Sequence, residues 1–240
     1  MLIHTLRVAL GLCAGVWLAG CGLISSDLTD FDLTLPDKKF SINIDGWKVD
    51  RAKAESYLDV DCSQAPPTAC NSAVQQVCTM GCSGTCSETS HTCDLSLDVS
   101  LAQMVDLVMD RPELQSVNDQ PVIKVTVDSV TYEVTLNTLN VDTPTITIYV
   151  APISVTTVKS NDASIKAIGT IDPIAAGETT TSARSLKLTA SGKAELANIM
   201  SSFKTPFNVL VGSSIVVSAG QPIPTGRLDA VVHIKGHAGL

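Results

Sequence analysis

The sequence predicts a mainly β protein, organised as an antiparallel β-sandwich with two short amphipathic helices and a disulfide-rich insertion. After residue 27, most of the chain consists of short runs in which apolar and polar residues alternate, as they do in strands that bury one face. Threonine and valine dominate these runs, and β-branched side chains suit a pleated surface. Six of the eight cysteines lie between residues 62 and 93, so this segment differs from the rest.

The first strands follow directly after the N-terminal segment. Residues 28–35 alternate and end at Pro36, which predicts a half-buried strand. Residues 39–50 predict a β-hairpin, because Asp45-Gly46 is a strong turn dipeptide between two alternating runs. The small and polar residues 175–182 predict an exposed loop. The alternation predicts further strands at 94–99, 121–127, 130–137, 144–150, 152–158, 164–172, 184–190, 207–217 and 228–235, and hence one β-rich domain over residues 28–240.

Two helices are predicted between these strands. The first has Ser100 as its N-cap and Pro112 as its stop, and its apolar face consists of Leu101, Met104, Val105 and Val108. The second has Ser191 as its N-cap and ends before Pro206, with an apolar face of Leu196, Ile199, Met200 and Phe203. We expect both faces to pack on sheets; a ligand cleft lined by methionine is the alternative.

The cysteine-rich segment predicts three disulfides. An even number of cysteines in an exported chain favours oxidation, and six cysteines allow fifteen pairings that the sequence does not distinguish. Residues 68–80 predict a short helix stopped by Gly81. A bond between the first and last cysteine would close the base of a 62–93 insertion, and we take that pairing as a hypothesis. The candidate disulfide cysteines are Cys62, Cys70, Cys78, Cys82, Cys86 and Cys93.

A metal site is the alternative for this segment, with ligands from Cys78, Cys82, Cys86, Cys93 and His91. Their spacing lacks the paired C-x2-C of structural zinc sites and the tight runs of ferredoxins. No C-x-x-C redox motif occurs either. The sequence therefore predicts no metal and no cofactor.

The N-terminus carries an export signal. Arg7 precedes an apolar stretch from Val8 to Leu18, which is too short to span a bilayer but suits a secretory signal peptide. The residues Leu18-Ala19-Gly20-Cys21 resemble the lipobox of bacterial lipoproteins. This resemblance implies removal of residues 1–20, lipidation of Cys21 and a short tether over residues 21–27. The alternative is an ordinary secreted protein that is cut near Ala19.

The resemblance also implies a cellular location. In didermal bacteria, Asp after the lipidated cysteine retains lipoproteins in the inner membrane, whereas this chain has Gly22. We therefore expect a protein of the cell envelope that is held in the outer membrane by its N-terminal lipid. Without residues 1–20 the chain carries 15 basic and 24 acidic side chains, a balance that argues against nucleic acid as a partner.

No residue is predicted to be catalytic. Hydrolase, zinc-protease, dinucleotide and P-loop motifs are absent. His233 and His237 are four apart but lack a third ligand, and Ser201 and Lys204 match S-x-x-K without the partner motifs of that enzyme family. The acids Asp27, Asp30 and Asp32 resemble the start of a calcium loop only superficially.

Two hypotheses for function follow. The first is a non-enzymatic, membrane-anchored envelope lipoprotein whose disulfide-braced segment contacts an envelope protein partner. The second is a carrier of lipid or another apolar ligand, with a pocket lined by Leu101, Met104, Val108, Leu196, Ile199 or Met200.

Replacement of the lipobox cysteine tests the anchor. Cys21→Ser is expected to abolish incorporation of a fatty-acid probe and to release the protein from the membrane fraction, because the sulfur that carries the lipid is lost. Cys13→Ser is the matched control and should keep the label, since Cys13 lies in the signal segment. Metabolic labelling and fractionation measure both effects, and equal labelling of Cys21→Ser and the parent would contradict the assignment.

Overall fold

A computed structural model describes residues 31–66, 68–117, 123–159 and 161–239. The signal segment, Cys21 and the tether lie outside these residues. The helices are α1 (Arg51–Leu58), α2 (Ala69–Ala73), α3 (Leu107–Asp110) and α4 (Ala190–Ser201). The strands are β1 (Phe31–Thr34), β2 (Lys38–Asn43), β3 (Cys82–Cys86), β4 (Cys93–Val105), β5 (Lys124–Asn137), β6 (Ile146–Pro152), β7 (Lys166–Ile171), β8 (Arg184–Ser185), β9 (Lys187–Leu188), β10 (Phe207–Val217) and β11 (Arg227–Gly239).

Two antiparallel sheets form the protein, which confirms the predicted fold class. In the first sheet, β1 and β2 pair with the same edge of β11, and β5 and then β8 follow on its other side. The second sheet has the order β3-β4-β10-β6-β7-β9. Alternating apolar residues of both sheets are buried in one core that includes Leu33, Leu97, Val127, Ile148, Val209 and Ile234.

One lateral side of the sandwich is closed by its own chain. Strands β8 and β9 are neighbours in sequence but pair with β5 of one sheet and β7 of the other. Helix α4 packs against both β5 and β7. Gly192 of α4 lies against the backbone of Ile168 so closely that a Cβ atom would collide with it. The opposite side carries β1 and β2 at the edge of the first sheet, and β3 and the second half of β4 at the edge of the second.

The first predicted helix is wrong, because residues 100–105 continue β4. This strand pairs with β10 without interruption from Leu95 to Val105. The alternation that buries Leu95, Leu97 and Val99 ends before these residues, and pairing with β10 alone overrides their local helical spacing. A helix begins only at Leu107, where the Asp106 carboxylate accepts hydrogen bonds from the Val108 and Met109 N–H groups.

The predicted hairpin at 39–50 is also wrong. Strand β2 pairs with β11 rather than with the residues that follow it. Residues Ile44–Trp47 form a 3-10 turn that starts at Asn43, whose side chain accepts from the Asp45 N–H. Helix α1 comes next, with Asp50 as its N-cap, and the sequence reading missed it.

The second predicted helix is confirmed as α4, although its N-cap is Thr189 rather than Ser191. The predicted strand at 152–158 is wrong, because β6 ends at Pro152 and a turn follows in which the Val155 N–H donates to the Pro152 carbonyl. The predicted loop at 175–182 is confirmed as mostly exposed turn and coil. Among the described residues, no helix combines the length and apolar character needed to cross a membrane.

Substitution of the buried helix glycine tests the packing of α4. Gly192→Ala is expected to lower the free energy of unfolding by about 3 kcal/mol, because the added methyl group overlaps the Ile168 backbone and forces the helix away from β7. Lys193→Ala, at an exposed position of the same helix, is the control and should change stability by less than about 0.5 kcal/mol. Urea unfolding compares the two; equal effects would contradict this packing.

Candidate interaction surface at the disulfide-braced end

The cysteine-rich segment lies at the end of the sandwich opposite to the start of β1. Strand β11 pairs with Phe31 through Ala238 and with Asn43 through Arg227. The two positions on β11 are therefore separated by about 35 Å of strand, at about 3.3 Å per residue. Because α1 and the cysteine-rich segment follow the Asn43 end, they form the far end of the molecule. We call this end, residues 44–95, the braced end.

All six cysteines of the segment are paired in disulfides. The bonds join Cys62 to Cys86, Cys70 to Cys93, and Cys78 to Cys82. The hypothesised bond between Cys62 and Cys93 is wrong. The base of the segment is closed by backbone pairing instead, because Asp61 forms a bridge with Thr92 and the Cys62 N–H donates to the His91 carbonyl.

The first two disulfides lie side by side. The sulfur atoms of Cys62, Cys70 and Cys93 are within 4.8 Å of one another, and all three residues are buried. The four cysteines considered as metal ligands are each bonded to another cysteine, so the structure offers no free thiolate at those positions.

The segment is part of the sandwich rather than a projection from it. Strand β3 pairs with the first half of β4. Gly84 of β3 passes directly over the hydroxyl of Tyr57 and the Cys70 carbonyl, where a side chain would collide. The predicted helix at 68–80 is shorter in the structure, where α2 ends at Ala73 and a 3-10 turn follows over Val74–Gln76.

Tyr57 connects α1 to the base of β4. Its hydroxyl donates a 3.1 Å hydrogen bond to the Asp94 carbonyl oxygen, and the residue is 4 % exposed. Burial, together with the negative charge of Asp94, raises the pKa of Tyr57 to about 12. The phenol therefore stays protonated and bonded at neutral pH.

A cleft of about 470 Å³ opens between α1 and the α2 region. Asp50 and Lys53 at its rim form an ion pair of 3.4 Å, and the exposed Val60 presents 44 % of its surface. The apolar part of its lining consists of Ala52, Tyr57, Val60, Ala73 and Val77. Such a cleft, apolar inside with charges at the rim, suits an apolar side chain of a protein partner.

The histidines near the C-terminus do not form a shared site. His233 Nδ1 lies 2.6 Å from an Asp37 oxygen, and its Nε2 lies 3.9 Å from a Glu133 oxygen. His237 Nδ1 lies 2.8 Å from a separate acid, Asp128. Each histidine is thus paired with its own carboxylates along the outer face of β11.

The serine and lysine of the S-x-x-K match have structural partners. The Ser201 hydroxyl donates to the Ala197 carbonyl at 2.8 Å, within α4. The Lys204 ammonium lies over the ring of Phe203, 5.7 Å from its centre. Asp32 lies in β1, whereas Asp27 and Asp30 lie outside the described residues.

The side chains expected to line a carrier pocket do not share a cavity in the described structure. Leu196 and Met200 are fully buried in the core, whereas Met104 is 48 % exposed. The apolar void between the two sheets, which Leu101 lines, measures about 20 Å³. This volume admits a water molecule and is far too small for a lipid chain.

Comparison with known proteins adds no relative. No protein-family model, no curated protein and no solved structure matches the chain. The cysteine pattern predicts the disulfide cysteines of the braced end, but no predicted element corresponds to α1, which forms one wall of the cleft. Asp50 followed by RAKAESYL carries an N-cap and good helix formers, and this signal could have predicted the helix.

Alkaline unfolding tests the buried phenol. Above about pH 10 the unfolded chain ionises Tyr57 while the folded protein keeps it protonated, so the free energy of unfolding falls as the pH rises from 10 to 12. Tyr57→Phe is expected to make this fall shallower, and Tyr149→Phe is the control for loss of a hydroxyl elsewhere. Urea unfolding at several pH values measures the slope; identical slopes for parent and Tyr57→Phe would contradict the assignment.

Proposed function

We propose that this chain is a lipid-anchored protein of the bacterial envelope, held in the outer membrane, that presents the braced end to a protein partner. The observation that carries the proposal is the position of the braced end, at the opposite end of the sandwich from the start of β1. A lipid on Cys21 would hold one end of the molecule at the membrane and leave the braced end free.

The length of the connecting segment supports this arrangement. Residues 22–30 separate Cys21 from β1, and nine residues reach about 32 Å at most when fully extended. The Phe31 end of the sandwich would therefore stay near the membrane surface. The braced end is the part of the described structure most distant from Phe31, where the tether joins the sandwich.

The three disulfides support a role in binding. They tie the chain that follows α1 to β3, α2 to β4, and the chain that follows the 3-10 turn to the start of β3, so the elements on both sides of the cleft are held covalently to the sandwich and lose less conformational entropy on association. The chemistry expected of the partner is an apolar side chain for the cleft with a polar surround for Asp50 and Lys53.

Site-specific photo-crosslinking in the producing cells tests this proposal. A photoreactive amino acid at Val60 is expected to give a discrete covalent adduct with one envelope protein, whereas the same amino acid at Lys124, at the Phe31 end, should not give that adduct. Ala73→Arg, which fills the cleft, should remove the Val60 adduct, and Glu55→Arg, in α1 but outside the cleft lining, should keep it.

The same crosslinking experiment also gives the outcomes that would contradict the proposal. Absence of an adduct at Val60, or an identical adduct at Lys124, would show that the braced end is not the contact surface. An adduct that persists in Cys21→Ser cells at full yield would show that the lipid anchor is not needed for the contact.

A further inference from the structure

The second half of β4 has an unpaired edge. Strand β3 covers β4 only as far as Leu97, and the Asp98 N–H then donates to the Gly81 carbonyl at 2.7 Å. The backbone groups of successive strand residues point to alternate sides, so those of Ser100, Ala102 and Met104 point to the same side as those of Asp98. Among the described residues, no hydrogen bond reaches these three N–H and C=O pairs. We call this stretch, Ser100–Met104, the open edge.

The other long edges of the described sheets are protected. The Arg111 guanidinium donates to the carbonyls of Asp32 and Thr34 at the edge of β1. The N–H groups of Thr180 and Leu186 donate to β5, and that of Thr189 donates to β7. The edge of β2 carries a lysine, Lys39.

The open edge has neither a covering hydrogen-bond donor nor a charged side chain of this kind. Its sequence, SLAQM, contains no charge and no proline, and β4 has Met104 half exposed at this position. Natural proteins protect such edges with charges, prolines, bulges or covering segments, because the unpaired groups bind any extended chain. An uncharged edge left open on an otherwise protected sandwich therefore indicates a place where another strand is added.

A groove of about 720 Å³ lies beside the open edge, between β4 and β2. Its apolar lining includes Phe40, Leu101 and Ala230. The acid in the groove, Asp229, accepts hydrogen bonds of 2.7 Å from both Ser41 and Arg227 and is thus neutralised. Lys39 has no ion pair among the described residues, so the groove is locally positive on a protein whose net charge is −8.

We propose that the open edge binds an extended segment of another polypeptide, which adds to the second sheet beside β4. The backbone of the added segment forms hydrogen bonds with the backbone of Ser100, Ala102 and Met104. The side chains of the segment that face inward enter the groove. Those side chains are apolar except for one carboxylate, which pairs with Lys39. This surface is distinct from the braced end.

A second copy of this chain fits the open edge less well than a different polypeptide. The edge of a second copy has the sequence SLAQM, which contains no carboxylate, so it would leave Lys39 without a charge partner.

Peptide binding to the purified mature protein tests the proposal. The probe is a fluorescent peptide with the central sequence Val-Thr-Glu-Thr-Val, whose alternate residues are Val, Glu and Val. We expect saturable binding that is about threefold weaker for the companion peptide with Lys in place of Glu, as for an exposed ion pair. Lys39→Glu should reverse this preference.

A proline at the open edge separates strand addition from simple adhesion. Ala102→Pro removes an N–H that points outward and is not used in the pairing with β10, so the fold should survive while binding weakens about tenfold. Ala102→Ser keeps the N–H and should bind as the parent does. Met104→Glu, which places a negative charge on the edge and so repels the acidic peptide without changing the backbone, is a second variant that should also weaken binding, and circular dichroism checks the fold of each.

Three outcomes would overturn the proposal. One is no saturable binding of the Glu peptide. Another is equal binding by the parent, Ala102→Pro and Met104→Glu when all three are folded. The third is a parent that sediments as a dimer and becomes a monomer in Ala102→Pro, since the occupant would then be a second copy. Loss of the lipid in Cys21→Ser should leave peptide binding unchanged, so failure of the anchor and failure of this site are distinguishable.

Discussion

Backbone pairing along β11 is the constraint on which the rest of the structure depends. This last strand accepts β1 and β2 from the start of the described chain on one side and β5 on the other. Phe31 and Ala238 therefore become neighbours although they lie at opposite ends of the sequence. Closure of so long a loop costs conformational entropy, which the buried faces of both sheets must offset. The same pairing sets the long axis of the molecule and places its two ends.

The disulfides act where the apolar core is thin. The first two close loops with sequence separations of 24 and 23 residues, and the third spans only 4. On the chain-entropy model the longer loops stabilise the fold by about 3.5 kcal/mol each and the short one by about 2 kcal/mol. Because Cys70 and Cys93 also lie in the core, the braced end is continuous with the sandwich. A small element that lacks its own core thus gains a fixed shape.

The two lateral sides of the sandwich differ in a way that matters for binding. On one side, β8 pairs with β5 of the first sheet, β9 pairs with β7 of the second, and α4 packs against both β5 and β7, so these edges are occupied. On the other, β2 and the second half of β4 face each other across a groove, and no described strand pairs with their outer edges. Lys38 of β2 still reaches Asp110 after β4, at 2.7 Å, so the two sheets are joined at one point of this side.

Local patterns in the sequence were reliable where one interaction decided the outcome. Alternation in residues 130–137 predicted β5, because this strand buries one face regardless of its partner, and the apolar run in residues 207–217 predicted β10, whose first half is buried on both faces. The helical spacing of Leu196 and Met200 predicted α4 for the same reason. The number and position of the cysteines predicted three disulfides. The N-terminal motif predicted a cellular location that the described residues do not test.

Local patterns gave wrong predictions where pairing with a strand distant in the sequence determined the conformation. Residues 100–105 fit a helix by spacing, but β10 offered a full ladder of hydrogen bonds and they became a strand. Asp45-Gly46 fits a hairpin, but β2 found its partner in β11, almost two hundred residues later. The cysteine pairing followed from how α2 and β3 pack, which spacing does not encode. The sequence by itself determined the fold class, the oxidised segment and the absence of known catalytic motifs. Only the tertiary structure decided which strands pair and which edge stays open, because these depend on contacts between residues far apart in the chain.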